Sequence, residues 1–93
     1  MKYKLSDNAI VTKFDDNEAL LTFKNKTQTA VLNSTSLMIL NLIVSKEFKD
    51  AQNQFIKEFS TDDITENEIK ELMSDFNDIY ELFLLNNIIE KES

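Results

Sequence analysis

Residues 29–43 read TAVLNSTSLMILNLI, and the spacing of their apolar side chains changes at Asn33. Up to Leu32 the Thr-rich alternation is typical of a half-exposed strand. Beyond it, apolar side chains over residues 37–44 cover most of a helix circumference, as expected for a helix buried on several sides. Asn33 or Ser34 offers a side-chain oxygen to the unpaired amides of the first turn. The stretch predicts a strand that leads directly into a central helix.

Two further strands are predicted upstream. Residues 9–14 and 18–24 are rich in β-branched and aromatic residues, and they flank a polar cluster at residues 15–17. This arrangement is a hairpin signal. A second polar break at residues 25–26 precedes the strand at residues 27–32. The pattern predicts an antiparallel meander of three strands.

Two more helices are predicted after the central one. Residues 48–59 carry apolar side chains at helical spacing with charged ones between them, as in an amphipathic surface helix. Residues 65–68 read TENE, which has the form of a capping box. The last helix is predicted from about Glu66 to about Asn87. The fold class is therefore α+β, a three-stranded antiparallel sheet followed by three helices, in a single domain over residues 1–93.

The last helix carries more apolar surface than one packed face needs. One stripe suits a core and consists of Ile69, Leu72, Phe76, Ile79 and Phe83. A neighbouring line consists of Met73, Asn77, Tyr80 and Leu84, and this surplus is the first functional indication. Taken alone, such a line is more often core or a dimer seam than a ligand groove. The Tyr80 hydroxyl suits a bond to a peptide carbonyl and a half-buried position facing water equally well.

Missing residue types exclude several functions. The chain contains no His, Cys, Trp, Gly or Pro. Without His and Cys it lacks the usual general base, strong nucleophile and soft metal ligands, and without Gly it lacks phosphate-binding loops. We therefore expect no enzyme activity and no cofactor. A hairpin turn and a helix N-terminus account for the acidic clusters at residues 15–18 and 62–66, so we expect no metal site.

Negative charge is concentrated in the last third of the chain. The net charge is −7, yet the first 59 residues carry about +1. An acidic surface repels phosphate backbones, so we expect no nucleic-acid binding. No apolar run is long enough for a membrane span, and neither a signal peptide nor a disulfide framework is visible. We expect a soluble cytoplasmic protein.

Several stretches together resemble PqqD-like proteins. Residues 29–43 resemble that family's strand-to-helix signature, in which a Leu-Asn pair, here at 32–33, closes the last strand and opens an apolar helix. The Leu-Leu pair at 20–21 is similar as well, and residues 75–89 resemble the closing helix with its short apolar tail. The resemblance covers about residues 9–89. It departs from the family in the turns, where Asp, Asn and Lys stand in place of the frequent Gly.

The resemblance implies a winged-helix-like fold and a role as precursor-recognition element in the biosynthesis of ribosomally made peptide natural products. A non-catalytic, chaperone-like adaptor, monomeric or weakly dimeric, would present the precursor's leader peptide to a modifying enzyme or leader protease. The leader would add as a strand to the sheet edge, beside a groove floored by the last helix. The implied binding residues are Thr27, Gln28, Thr29, Ala30, Val31, Leu32, Met73, Phe76, Asn77, Tyr80 and Leu84.

Two other functions stay open from the sequence. A winged-helix transcription regulator would share the fold, although its recognition helix would be basic. An interaction or antitoxin-like subunit would cover a partner with the last helix, without strand addition. For the adaptor, acidic residues of the last helix, among them Glu71, Asp75 and Asp78, would rim the groove and favour a basic leader, or contact a basic patch on the enzyme.

Overall fold

The computed structural model describes residues 1–92. Their elements follow the order β1 (Tyr3–Leu5), β2 (Ala9–Lys13), β3 (Ala19–Phe23), β4 (Thr29–Leu32), α1 (Ser34–Ser45), α2 (Phe48–Phe59), α3 (Glu66–Leu85) and β5 (Ile89–Lys91). Strands β2, β3 and β4 form one antiparallel sheet in that order, and the three helices follow it. The predicted α+β fold class is confirmed.

The three-stranded sheet has a buried face and an exposed face. Ala19 and Leu21 of β3 are buried, and so is Leu32 of β4, which pairs with Ala19. Because successive side chains of a strand point to opposite faces, Ile10 and Val31 lie on the other face, where they are 42% and 63% exposed. One face of the sheet therefore contributes to the core.

The first hairpin turn forms without glycine. The Oδ1 atom of Asp15 accepts hydrogen bonds from the backbone N–H groups of Asn17 and Glu18, at 2.7 and 2.9 Å. These Asx-type hydrogen bonds stabilise the turn, so it does not depend on the conformational freedom of a glycine.

The central helix α1 is well capped and well buried. The Oδ1 atom of Asn33 accepts a hydrogen bond from the backbone N–H of Ser36 at 2.8 Å, so Asn33 is the N-cap and not Ser34. The helix contacts α2, α3, β1 and β4. Its buried residues are Leu37, Ile39, Leu40 and Ile43.

Two short strands near the chain ends were missed by the sequence prediction. β1 pairs with β5 in antiparallel fashion, with Leu5 opposite Ile89. A strand of three residues is too short for a recognisable alternation, and its pairing partner lies at the far end of the chain. The pattern of local residues therefore could not reveal this second sheet.

The turn between α3 and β5 is a Schellman motif. Asn87 has a positive φ of 58°, and its backbone N–H donates to the carbonyl of Leu84 at 3.1 Å. The N–H of Ile88 donates to the carbonyl of Phe83 at 2.8 Å. This pair of bonds satisfies carbonyls left open at the helix end, and Asn is one of the few residues that tolerate the left-handed conformation. The motif ends α3 at Leu85, two residues earlier than predicted, and leads the chain back to β1.

Candidate functional site

β4 forms an open edge of the three-stranded sheet. Within the described residues it pairs with β3 on one side and with no strand on the other. Alternate residues of an edge strand direct their backbone N–H and C=O groups away from the sheet, where another extended chain can pair with them. Residues 27–31 are exposed. The strand predicted for residues 27–32 begins at Thr29, and the two residues before it belong to the preceding turn.

A cavity of about 390 Å³ lies beside this edge, between β4 and the turn that follows α3. We call it the β4 groove. Its lining consists of apolar Leu21, Phe23 and Ile88, polar Lys26, Gln28 and Asn86, and Thr29 and Ala30 of β4. An open strand edge and a partly apolar hollow thus lie next to each other.

Phe76, one of the predicted floor residues, lies in the core. Its side chain is 0% exposed, and its ring centroid is 5.6 Å from that of Phe48 and 5.5 Å from that of Phe55. Both neighbours belong to α2. The ring therefore has no surface to offer to a peptide in the described structure.

Asn77 and Tyr80 also form contacts inside the protein. The Oδ1 of Asn77 accepts a hydrogen bond from Nε2 of Gln52 at 3.1 Å. The Tyr80 hydroxyl is hydrogen-bonded to the Tyr3 hydroxyl, and its ring packs on Phe48 with centroids 4.5 Å apart. The line on α3 that looked like surplus surface is therefore covered in part by α2 and β1.

The environment of Tyr80 changes its ionisation. Desolvation by burial, followed by the hydrogen bond with Tyr3, raises the pKa of Tyr80 well above its ordinary value. A phenol with a raised pKa is neutral at physiological pH, and here it acts as a packing and hydrogen-bonding group. The side chain is half-buried, as one of the two sequence-based interpretations expects, but its hydroxyl bonds to another tyrosine. A contact between Tyr80 and a peptide stays a prediction.

Met73 and Leu84 complete the predicted floor and remain on the surface. They are 37% and 36% exposed, and neither lines the β4 groove. Spacing along a helix correctly grouped these two with Asn77 and Tyr80, but it did not identify the element that packs against the line. A contact between Met73 or Leu84 and a peptide stays a prediction.

Five residues that line the β4 groove are not among the predicted binding residues: Leu21, Phe23, Lys26, Asn86 and Ile88. Lys26 lies in a polar break of the sequence, and such a break does not by itself indicate a binding residue. The Asn-Asn pair at residues 86–87 is a helix C-terminus signal, and it would have indicated that Ile88 turns back towards the sheet. Leu21, Asn86 and Ile88 lie in stretches that carry the family resemblance, and Phe23 lies in a predicted strand, but neither position indicates a lining residue.

Several acidic residues of α3 lie beside a different hollow. Phe59, Ile64 and Leu72 form the apolar lining of a cavity of about 230 Å³ near the end of α2 and the first half of α3. Glu68, Glu71 and Asp75 surround it. These carboxylates do not line the β4 groove, so the expectation that Glu71 and Asp75 rim it does not agree with their positions.

Residues 1–92 contain neither a helix fit to span a membrane nor a cluster of carboxylates placed to bind a metal ion. None of the helices there combines the length and apolarity that crossing a membrane requires. In the same range, no group of three or more Asp or Glu side chains is placed to hold a metal ion.

The fold and site together define a class: a small α+β chain with an open sheet edge beside a groove. No family model matches the sequence, and no curated protein matches it. A solved structure described as "TbiB1 in Complex with the TbiA(beta) Leader Peptide" matches with a TM-score of 0.75 and 19% identity. The match covers 97% of this chain and 98% of that one. The two proteins therefore share the fold along almost their entire lengths.

Proposed function

We propose that this chain is a non-catalytic adaptor that binds the leader segment of a ribosomally made precursor peptide and presents it to a modifying enzyme or leader protease. The observation that carries the proposal is the open edge of β4 beside the β4 groove. The same fold occurs in a protein described in complex with a leader peptide, which supports a role in leader binding.

Backbone pairing would supply much of the affinity. A leader in extended conformation adds to β4 as a fourth strand, and its amides and carbonyls bond to the outward-facing groups of β4. This pairing is independent of side chains, so it fixes the position of the leader without specifying its sequence.

Side chains of the leader would supply the specificity. Alternate leader residues point to opposite faces of the extended sheet. One set enters the β4 groove and packs on Leu21, Phe23 and Ile88, whereas the other set passes over Val31 on the exposed face. We expect an apolar leader residue in the groove because burying it removes apolar surface of both partners from water.

The chemical step would belong to the partner enzyme. The groove offers a lysine, two carboxamides and apolar side chains, which suit binding and orientation of a peptide. The adaptor then acts by raising the local concentration of the precursor at the enzyme, as linked binding sites do.

Proline substitutions in the two edge strands test strand addition. Proline lacks a backbone N–H and is poorly tolerated where a ladder bond is needed. Since neighbouring residues point their N–H groups in opposite directions, one of Ala30→Pro and Val31→Pro removes a donor from the open edge of β4. We expect that variant to bind the leader at least tenfold more weakly, measured by calorimetry with the precursor recovered from native cells by pull-down and peptide mass spectrometry.

Val11→Pro and Thr12→Pro are the matched controls. These residues of β2 pair with Leu21 and Leu20, the same β3 residues that pair with Ala30 and Val31 from the other side. The controls disturb the sheet equally but leave the β4 edge intact, so any variant that keeps its circular dichroism spectrum should retain binding. Undiminished binding by folded Ala30→Pro and Val31→Pro would contradict strand addition. Recovery of nucleic acid without a short precursor would contradict the adaptor function.

A further inference from the structure

Lys26 lies at one end of the β4 groove. It lines the groove and also the two adjoining hollows, one on the turn between β3 and β4 and one beside Asn86 and Asn87. Its Nζ atom lies 5.5 Å from the ring centroid of Phe23, a cation–π distance that holds the ammonium group over an apolar wall of the groove. The position of this charge is therefore defined by the fold.

The Lys26 ammonium group has no carboxylate partner within the described part of the chain. The ion pairs formed there join the N-terminal amine to Glu47, and Lys4 to Glu90. Glu90 lines one of the hollows that Lys26 also lines, but its carboxylate is 3.4 Å from Nζ of Lys4. An unpaired cation at the end of a binding groove is available to a ligand.

The polar surroundings of Lys26 suit a carboxylate. Asn25, Gln28 and Asn86 line the same hollows, and their carboxamides can donate hydrogen bonds to an anionic oxygen. The negative charge of the chain is concentrated after residue 59, whereas residues 1–59 carry about +1, so an acidic peptide is repelled mainly by α3 and the residues after it. The lysine end of the groove is therefore a favourable place for an acidic residue.

We propose that Lys26 is a specificity-determining residue that binds an Asp or Glu of the leader next to the apolar residue in the groove. The inference rests on the proposed function and adds the chemical class of the recognised segment, an apolar residue with an acidic neighbour at a fixed offset. Lys26 precedes Thr29, so the acidic residue lies on the C-terminal side of the apolar one when the leader runs antiparallel to β4, and on its N-terminal side when it runs parallel.

Selection from a displayed library of random peptides tests this proposal with the full chain. Peptides selected by the wild-type protein should carry Asp or Glu at one fixed offset from an apolar residue. Peptides selected by Lys26→Glu should lose that preference and favour Lys or Arg at the same offset. For an individual peptide we expect Lys26→Gln to weaken binding about two- to fivefold, as for a partly exposed ion pair.

Lys49→Glu is the matched control because it changes the net charge equally at an exposed position of α2. It should select the same peptides as the wild-type protein. The proteins could enrich peptides that lack an acidic preference, or peptides whose acidic preference is unchanged in Lys26→Glu. Either result would overturn the role of Lys26 but not the proposed function. Failure of every protein to enrich any peptide would overturn the proposed function together with this inference.

Discussion

Tyr3 and Tyr80, whose hydroxyl groups are hydrogen-bonded between β1 and α3, are the two tyrosines of the chain. Burial and this bond hold the Tyr80 phenol in its neutral form and raise its pKa above the ordinary value of 10.0. In the unfolded chain the same phenol ionises near that ordinary value. The proton is therefore bound more tightly in the folded state.

This difference predicts an alkaline loss of stability. The stabilisation that Tyr80 gives to the folded state is fully present below about pH 10. Above that pH the phenol of the unfolded chain ionises while the folded one stays neutral, so this stabilisation is lost as the pH rises through the raised pKa. Urea denaturation from pH 7 to 11 should show a steeper fall in the free energy of unfolding for the wild-type protein than for Tyr80→Phe. Lysine ionisation is common to both proteins, so equal slopes would contradict the raised pKa of Tyr80 and its pairing with Tyr3.

Phe76 allows a second test at the same scale. Its ring is 0% exposed between Phe48 and Phe55 of α2, so Phe76→Ala should lower the free energy of unfolding by about 3–5 kcal/mol. Leu82 of the same helix is 54% exposed, and Leu82→Ala should change it by less than about 0.5 kcal/mol. Urea denaturation of both variants distinguishes the core position from a solvent-facing one, and similar values would contradict the orientation of α3.

At the scale of an element, helix caps explain where α1 and α3 begin. The Oδ1 of Asn33 accepts a bond from the N–H of Ser36 at 2.8 Å, and the Oγ1 of Thr65 accepts one from the N–H of Glu68 at 3.2 Å. The residues alone predict the Thr65 cap and narrow the α1 cap to Asn33 or Ser34, because a cap and its partner are three positions apart in the chain. The capping box is altered in one respect, since the Glu68 carboxylate accepts a bond from the Thr65 hydroxyl at 3.1 Å.

The cap of α1 predicts a measurable cost. Asn33→Ala should lower the free energy of unfolding by about 1 kcal/mol, because the first turn of α1 loses its hydrogen-bond acceptor. Asn33→Asp keeps an acceptor and should stay close to the wild-type value in thermal or urea denaturation. Equal stability of the alanine and aspartate variants would show that this cap does not contribute.

The whole molecule is closed by the pairing of β1 with β5. Ile88 and Ile89 are buried, and Ile89 lies opposite Leu5. Packing of these residues joins the N-terminal strand to the turn that forms one wall of the β4 groove. Groove and second sheet are therefore parts of one structural unit.

Removal of Ile88 and β5 should unfold much of the protein. Truncation after Asn87 deletes two buried isoleucines, each worth about 2–5 kcal/mol when cut back to alanine, from a domain whose total stability is typically about 5–15 kcal/mol. We expect a broad or absent thermal transition by circular dichroism. The control Lys4→Gln breaks only the exposed ion pair with Glu90, which should cost less than about 1 kcal/mol. A truncated protein as stable as this control would contradict the role of β5.

Local sequence was sufficient for the order of the three-stranded sheet and the three helices, for the Thr65 cap, and for an edge strand that was predicted at residues 27–32 and lies at 29–32. Each of these depends on residues a few positions apart, whose chemistry and spacing can be read directly. Helical spacing also grouped Met73, Asn77, Tyr80 and Leu84 on one line of α3. It could not say what covers that line.

Long-range packing determined the rest. Phe76 and Tyr80 face α2 and β1, and the groove beside β4 is completed by Asn86 and Ile88, because the turn after α3 returns the chain to β1. The contact between Tyr3 and Tyr80 joins residues at opposite ends of the chain. Such contacts follow from how whole elements share a core, and no periodicity within one element specifies its neighbour.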